Sequence, residues 1–141
     1  MLMKMRRFIL DKLIRDNIVE MFEERGTTVH YDILEDDGDF VEALATKIAE
    51  ELQEMLSAEN REDLASELAD IDDVLTEFKE VMQIKQSELD KLRKEKRALK
   101  GGFEKHIYAK YIDVPPSDKH TLDYVKKNAD RFPEIDIEDE E

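Results

Sequence analysis

The chain has 141 residues, 42% of them charged and 40% apolar, and its formal net charge is −15 at pH 7. This length, without a Pro/Gly/Ser-rich linker, predicts one folded domain, and the acidic balance argues against nonspecific binding to nucleic acid or an anionic membrane. Cysteine is absent, which excludes disulfides and thiolate metal sites and fits a reducing compartment. Because there is neither a membrane-length apolar run nor a signal-peptide core, we expect a soluble cytoplasmic protein.

The first part of the chain predicts a short helix and at most one strand. Apolar positions recur at helical spacing within 16–25, and Gly26 is a candidate for the residue that ends this helix. Apolar residues alternate from Thr27 to Leu34, which is the period of a half-buried strand, and the segment 107–114 is its available partner. This segment is either a minor β element or an extended connection.

Two amphipathic helices follow and form the centre of the chain. Turn-forming residues open the first helix near Asp39, and its apolar pattern continues to about residue 58. Asn60 is placed to cap a second helix over 61–83. Because the connection is short, we expect an antiparallel hairpin. The predicted fold class is all-α, a helical bundle around this hairpin with a possible minor β element.

The rest of the chain predicts two more helices and a tail. Ser87 with Asp90 resembles a capping box that starts a third long helix, which stops at the glycine pair 101–102. A proline pair then breaks the chain, and 118–131 has the apolar spacing of a final helix. The residues 134–141 include six acids and are expected to be disordered.

Each central helix carries two acids three residues apart, Glu51 with Glu54 and Glu67 with Asp70. Roughly nine or ten such pairs are expected by chance in so acidic a chain, and an exposed charged face is their usual explanation. These pairs differ because, at about 100° per residue, Glu51 and Glu67 fall within the apolar arcs of their helices. Buried carboxylates need a cation or a set of hydrogen bonds, and basic residues are scarce along both helices. The pattern therefore favours a site for Mg²⁺ or Mn²⁺, which prefer oxygen ligands.

Two neighbouring acids leave several interpretations open. Asp73 continues the series of Glu67 and Asp70, and it is a fifth metal ligand, an outer hydrogen-bond acceptor or plain surface. Glu50 lies about 100° round the helix from Glu51, outside the apolar arc, where an exposed position is the default.

Basic residues are concentrated in one later segment. Residues 85–105 hold eight basic and four acidic side chains, and a carboxylate cluster with a separate basic segment is what a metal–triphosphate substrate requires. Arg97 and Lys100 precede two glycines whose backbone can approach phosphate closely, so they are the preferred phosphate anchors. Lys94 and Lys105 belong to the same segment, and all four are alternatively an exposed basic face. The chain has neither a P-loop nor a Rossmann fingerprint.

Three segments together resemble the MazG-like all-α nucleoside triphosphate pyrophosphohydrolases. The pattern E-E-x-x-E at 50–54, followed by E-x-x-D at 67–70, looks like the signature of this family. The segments K-L-I-R-D-N-I at 12–18 and K-R-A-L-K-G-G-F-E-K at 96–105 look like those of its branch of predicted house-cleaning enzymes for non-canonical nucleotides. Their occurrence in this order is more specific than the acid motif alone.

The resemblance covers roughly residues 8–112. It implies a MazG-like pyrophosphohydrolase domain over 1–112, and leaves 113–141 as a C-terminal helix and acidic tail. The implied activity is Mg²⁺-dependent hydrolysis of a nucleoside triphosphate to the monophosphate and pyrophosphate, by attack of water on the α-phosphate.

The resemblance also implies roles for individual residues. It makes Glu50 the base that deprotonates the attacking water. It makes Lys12, Arg15 and Asp16 candidates for contacting the nucleotide across a subunit interface. The predicted metal ligands are Glu51, Glu54, Glu67, Asp70 and Asp73, and the predicted substrate-binding residues are Lys12, Arg15, Asp16, Lys94, Arg97, Lys100 and Lys105.

The apolar arcs of the two central helices are wider than a lone hairpin can cover. We therefore expect a homodimer or a dimer of dimers in which basic residues of one chain, Lys12 and Arg15 or Arg97 and Lys100, approach the carboxylates of the other. Two alternatives remain. One is an enzyme similar to phosphoribosyl-ATP pyrophosphohydrolase, and the other is a non-catalytic acidic helical protein that binds a basic partner.

Overall fold

The computed structural model describes residues 4–137, and every regular element in that range is a helix. This confirms the predicted all-α fold class. The chain divides into two compact units, Met1–Leu99 and Lys100–Glu141, whereas the resemblance had suggested a division after residue 112. The helices are α1 (Ile18–Glu24), α2 (Asp37–Leu56), α3 (Arg61–Val81), α4 (Gln86–Lys100) and α5 (Lys119–Lys127).

The helices α2 and α3 pack against each other and form the core of the first unit. Asn60 caps α3 as predicted, because its side chain accepts a hydrogen bond from the Asp63 amide at 2.9 Å. Asp36 caps α2 by accepting from the Asp39 amide at 3.0 Å, so this helix begins two residues earlier than expected. Such caps satisfy amides at a helix start and stabilise it by about 1 kcal/mol each.

The hairpin buries few apolar side chains completely. Leu44 of α2 is 1% exposed and Val74 of α3 is 9% exposed. By contrast, Leu52, Leu68 and Leu75 remain between 42% and 47% exposed, although they lie within the apolar arcs. A single chain therefore covers only part of these arcs.

The helix α1 ends at Glu24, and the predicted stop residue Gly26 follows its cap residue Arg25. Gly26 has a φ of +87°, a conformation that favours glycine. The Thr27 amide donates to the Phe22 carbonyl at 3.0 Å and the Gly26 amide donates to the Glu23 carbonyl at 2.9 Å. These two bonds satisfy carbonyls that the helix end would otherwise leave unpaired.

The predicted minor β element is wrong for residues 4–137. The segments 27–34 and 107–114 contain no strand, and neither pairs with another part of the described chain as a sheet. Alternating apolar residues favour a strand only where a second strand accepts its backbone hydrogen bonds. Both segments are instead connections without regular secondary structure and are mostly exposed to water, as in the alternative interpretation of 27–34.

The start of α4 also differs from expectation. The helix begins at Gln86, so Ser87 lies inside the first turn and does not form a capping box with Asp90. The Gln86 side chain accepts from Lys79 Nζ at 2.8 Å and donates to Asp90 at 2.9 Å. At the other end, Gly101 follows the helix with a φ of +81°, which confirms the predicted stop.

The second unit contains α5, which is shorter than the predicted 118–131. Asp118 caps it by accepting a hydrogen bond from the Thr121 amide at 3.1 Å. Of the tail that was expected to be disordered, residues 134–137 have no regular structure and 138–141 lie outside the described residues. Within 4–137, no helix has both the length and the apolar character needed to cross a membrane.

Candidate metal centre

Three glutamates from the packed helices converge between α2 and α3. One carboxylate oxygen from each of Glu51, Glu54 and Glu67 lies within 4.8 Å of the others. Glu51 and Glu54 share a face of α2 because they are three residues apart, and the short connection folds α3 back so that Glu67 meets them. We call these three residues the glutamate cluster. It contains three of the acids that the sequence singled out.

Burial within the glutamate cluster is uneven. Glu51 is 3% exposed, Glu67 is half-buried and Glu54 is exposed. Oε2 of Glu51 and Oε2 of Glu67 are both shielded from solvent without a hydrogen-bond partner among the described residues. A shielded carboxylate oxygen is unfavourable unless a proton or a cation offsets its lost hydration. Glu54 leaves one side of the cluster open to solvent.

The crowding of carboxylates raises the pKa of Glu67 from 4.5 to about 7. The largest cause is the neighbouring Glu51 carboxylate, to which Glu67 can donate a hydrogen bond only when Glu67 holds a proton. Desolvation follows, and then the hydrogen bond and negative charge of Glu54. A divalent cation in the cluster would offset the same repulsion and would compete with that proton.

Lys47 is a cation whose position the sequence interpretation missed. It lies one turn before Glu51, with Nζ 3.2 Å from Glu51 Oε1 and 3.5 Å from Glu50 Oε2. Burial is the largest effect on the pKa of Lys47 and lowers it, but the hydrogen bond to Glu51 and the charges of Glu50 and Glu51 together raise it above its ordinary value. The spacings of three and four residues were the signal that could have revealed this pairing.

Lys12 reaches the same region from the segment before α1. Its Nζ donates to Glu50 Oε1 at 3.0 Å. Burial acts to raise the pKa of Glu50 as the largest single effect, but the hydrogen bond from Lys12 and the charges of Lys47 and Lys12 lower it overall. Glu50 is therefore ionised at neutral pH, and both of its oxygens are engaged by lysines. It becomes a better base if Lys12 moves away.

Arg15 joins the two acids of α3 that lie beyond the glutamate cluster. Its guanidinium is 2.6 Å from Asp70 Oδ1 and 2.8 Å from Asp73 Oδ2. The hydrogen bond to Asp70 is the main cause of the raised pKa of Arg15. Because the Arg15 side chain is 57% exposed, these ion pairs contribute little to stability but can exchange partners readily. The predicted metal-binding roles of Asp70 and Asp73 stay predictions.

The other predicted substrate-binding residues are exposed and lie on other segments. Asp16 precedes α1, whereas Lys94 and Arg97 lie on α4. Lys100 and Lys105 belong to the second unit. Their contacts with nucleotide remain predictions.

The glutamate cluster and the ion pairs beside it bring together six carboxylates and three cations. This excess of negative charge, with oxygen as the only kind of donor, suits a hard divalent cation. The carboxylates are Glu50, Glu51, Glu54, Glu67, Asp70 and Asp73, and the cations paired with them are Lys12, Arg15 and Lys47.

Comparison of the chain with protein-family models, curated proteins and solved structures finds no match.

Proposed function

We propose that this protein is a Mg²⁺-dependent nucleoside triphosphate pyrophosphohydrolase that acts on non-canonical nucleotides. The observation that carries the proposal is Glu51 Oε2, which is buried without a hydrogen-bond partner in a group with Glu54 and Glu67. A cation at this position would offset the lost hydration of Glu51, and three oxygen donors favour Mg²⁺ or Mn²⁺. The resemblance to MazG-like enzymes supplies the reaction class, and its acid motifs contain all three residues.

The glutamate cluster would hold the metal, with Asp70 as a further ligand once Arg15 exchanges partners. Mg²⁺, when bound there, would supply positive charge that polarises the α-phosphate and lowers the pKa of the attacking water. Glu50 accepts a proton from the attacking water, whose oxygen forms a bond to the α-phosphorus. The bond from that phosphorus to the bridging oxygen breaks, and pyrophosphate leaves with the electron pair.

Lys12 and Arg15 are basic groups from outside the hairpin that pair with these carboxylates. Within a single chain, Lys12 pairs with Glu50, and Arg15 pairs with Asp70 and Asp73. These ion pairs form without a second subunit. Phosphate oxygens offer the same kind of partner, so a bound triphosphate can take both cations from the carboxylates. That exchange would release Glu50 to act as a base. It would also release Asp70 to bind metal.

A panel of standard and modified nucleoside triphosphates, with phosphoribosyl-ATP included, tests the proposed reaction. We expect a nucleoside monophosphate and pyrophosphate from at least one triphosphate, only with Mg²⁺ or Mn²⁺, and no turnover by Glu67→Gln. Glu77→Gln is the matched control, because Glu77 is an exposed acid on the same helix. Release of orthophosphate, or full activity of Glu67→Gln, would contradict the proposal.

The ion pairs also favour a second candidate, an acidic helical protein without catalytic activity. Three internal cations, Lys12, Arg15 and Lys47, already pair with four of the six carboxylates in and beside the glutamate cluster. Thermal melting with Mn²⁺ and a non-hydrolysable triphosphate separates the two candidates. The enzyme is expected to melt at a higher temperature with these ligands, whereas a protein that only binds a basic partner would not shift.

We further propose that the protein forms a homodimer or a dimer of dimers. An apolar stripe on α3 supports this, because its members recur at heptad positions along a 21-residue helix and are 38% to 55% exposed. Heptad spacing is the pattern by which helices of two chains pack, and a two-fold arrangement covers the same stripe on both. The stripe consists of Leu64, Leu68 and Leu75 of α3 together with Met82, the residue that directly follows the helix.

Sedimentation equilibrium tests the assembly. We expect a mass of two or four chains for the wild type and dissociation toward 16.6 kDa for Leu75→Lys. Leu99→Lys is the matched control, because Leu99 is 83% exposed but lies on α4, outside the stripe. A wild-type monomer, or equal masses for Leu75→Lys and Leu99→Lys, would refute the proposed interface.

A further inference from the structure

Lys47 lies on the half-buried side of α2, one turn before the most buried carboxylate. Its side chain is 17% exposed, and its amino group contacts both Glu51 and Glu50. The sequence interpretation assigned no role to Lys47, and neither the proposed metal ligands nor the proposed substrate contacts include it. A half-buried lysine between two acids of a candidate site requires an explanation of its own.

The two oxygens of Glu51 are in different situations. Oε1 faces the Lys47 ammonium at 3.2 Å, whereas Oε2 is buried and has no hydrogen-bond partner among the described residues. The ion pair therefore fixes the orientation of the carboxylate and leaves one oxygen available. Side chains that hold a metal-binding group in place in this way commonly set its affinity and geometry.

The positive charge of Lys47 also compensates the buried negative charge of Glu51. Glu51 is 3% exposed, so without Lys47 its carboxylate would lie in the hairpin with no cation of residues 4–137 at ion-pair distance. Removing one partner of a buried ion pair is strongly destabilising because it leaves the other charge uncompensated. A bound divalent cation would provide compensation from the other side of the carboxylate.

We propose that Lys47 is a positioning residue, which neutralises and orients Glu51 in the metal-free protein so that Oε2 faces an incoming divalent cation, and which holds Glu50 beside it. The identity of the cation rests on the proposed function. The pairing of Lys47 with Glu51 does not, so the two can be tested separately.

The first test is thermal melting of Lys47→Met, which keeps the aliphatic stem and removes the charge. We expect the metal-free variant to melt about 5 °C or more below the wild type, and saturating Mn²⁺ to close most of that gap. Lys47→Arg restores the charge and is expected to recover at least half of the loss. Lys79→Met is the matched control, because Lys79 is a half-buried lysine whose amino group donates to Gln86, and its melting temperature should rise with Mn²⁺ as in the wild type.

Three outcomes of that test would overturn the proposal. Lys47→Met melting like the wild type without metal would show that Glu51 needs no counter-ion from Lys47. A deficit that Mn²⁺ leaves unchanged, although Mn²⁺ raises the melting temperature of the wild type, would show that Lys47 contributes packing alone. Failure of Lys47→Arg to recover any of the loss would show that the charge is not the property that matters.

A double-mutant cycle in metal-free buffer separates this proposal from the proposed function. If Lys47 acts through Glu51, then Lys47→Met should lower the melting temperature less than half as much in a Glu51→Gln background as in the wild type. Equal losses in both backgrounds would overturn the proposal even if the wild type binds Mn²⁺. If the wild type does not respond to Mn²⁺, the proposed function fails, and the cycle still decides whether Lys47 pairs with Glu51.

Discussion

Glu67→Gln removes the carboxyl group whose pKa is raised to about 7, chiefly by its hydrogen bond with Glu51 and then by desolvation and Glu54. In the unfolded chain the same group titrates near 4.5, so the folded protein binds its proton more tightly. The stability that this proton contributes is fully present below pH 4.5, the pKa of Glu67 in the unfolded chain. It is lost as the pH rises through about 7, the pKa in the folded protein. The metal-free wild type should therefore become less stable between pH 5 and pH 8 through this group, and Glu67→Gln should lose that part of the pH dependence.

The same pKa sets the size of the effect on metal binding. With a value of about 7, Glu67 is protonated in about nine-tenths of molecules at pH 6 and in about one-tenth at pH 8. A divalent cation must displace this proton, so Mn²⁺ should bind about tenfold more weakly at pH 6 than at pH 8. Glutamine keeps the shape of the side chain but lacks the charge that a hard cation requires.

Isothermal titration with Mn²⁺ at pH 6 and pH 8, together with thermal melting of the metal-free protein, measures both consequences. Glu77→Gln controls for the loss of one acid from α3, and it should keep the tenfold ratio of affinities. Equal Mn²⁺ affinity of the wild type at the two pH values would refute the reasoning. So would a Glu67→Gln protein that binds Mn²⁺ as tightly as the wild type.

Three further predictions concern the scaffold. Leu44→Ala should lower the free energy of unfolding, measured in urea, by about 2–5 kcal/mol, because Leu44 is 1% exposed. Leu44→Met should lower it by less than about 1.5 kcal/mol, and equal losses for the two variants would contradict the assigned burial. Asn60→Ala should cost about 1 kcal/mol by removing the acceptor for the Asp63 amide, and Asn60→Ser should retain most of the stability; a neutral Asn60→Ala would argue against the cap. Deleting 134–141 should leave nucleotide hydrolysis unchanged, since 134–137 are exposed, and a loss of activity would show that this tail belongs to the site.

Local chemistry explains which parts of the fold could be predicted from sequence. The start of α3 at Asn60 and the ends of α1 and α4 at glycine follow from groups within a few residues of each helix end. The start of α2 was less certain because several neighbouring acids can cap it, and Asp36 is the one that does. The strand over 27–34 was wrong because a strand depends on a distant partner, which periodicity does not reveal.

The candidate site divides in the same way. The meeting of Glu51, Glu54 and Glu67 could be predicted from helical periodicity and a short connection, since both are local properties of the sequence. The pairing of Arg15 with Asp70 spans 55 residues, and nothing in local spacing determines how the segment before α1 lies on the hairpin. Lys47 was overlooked for a different reason: its spacing from Glu51 was visible, but it was counted only as one of few cations.

Hydrolysis of a nucleoside triphosphate in ¹⁸O-labelled water, followed by mass spectrometry of both products, tests the central claim most directly. Attack of water on the α-phosphorus predicts one ¹⁸O atom in the nucleoside monophosphate and none in the pyrophosphate, in a reaction that requires Mg²⁺ and is abolished by Glu67→Gln. Label in pyrophosphate or orthophosphate, or no turnover of any triphosphate, would contradict the assignment of this protein as a nucleotide pyrophosphohydrolase.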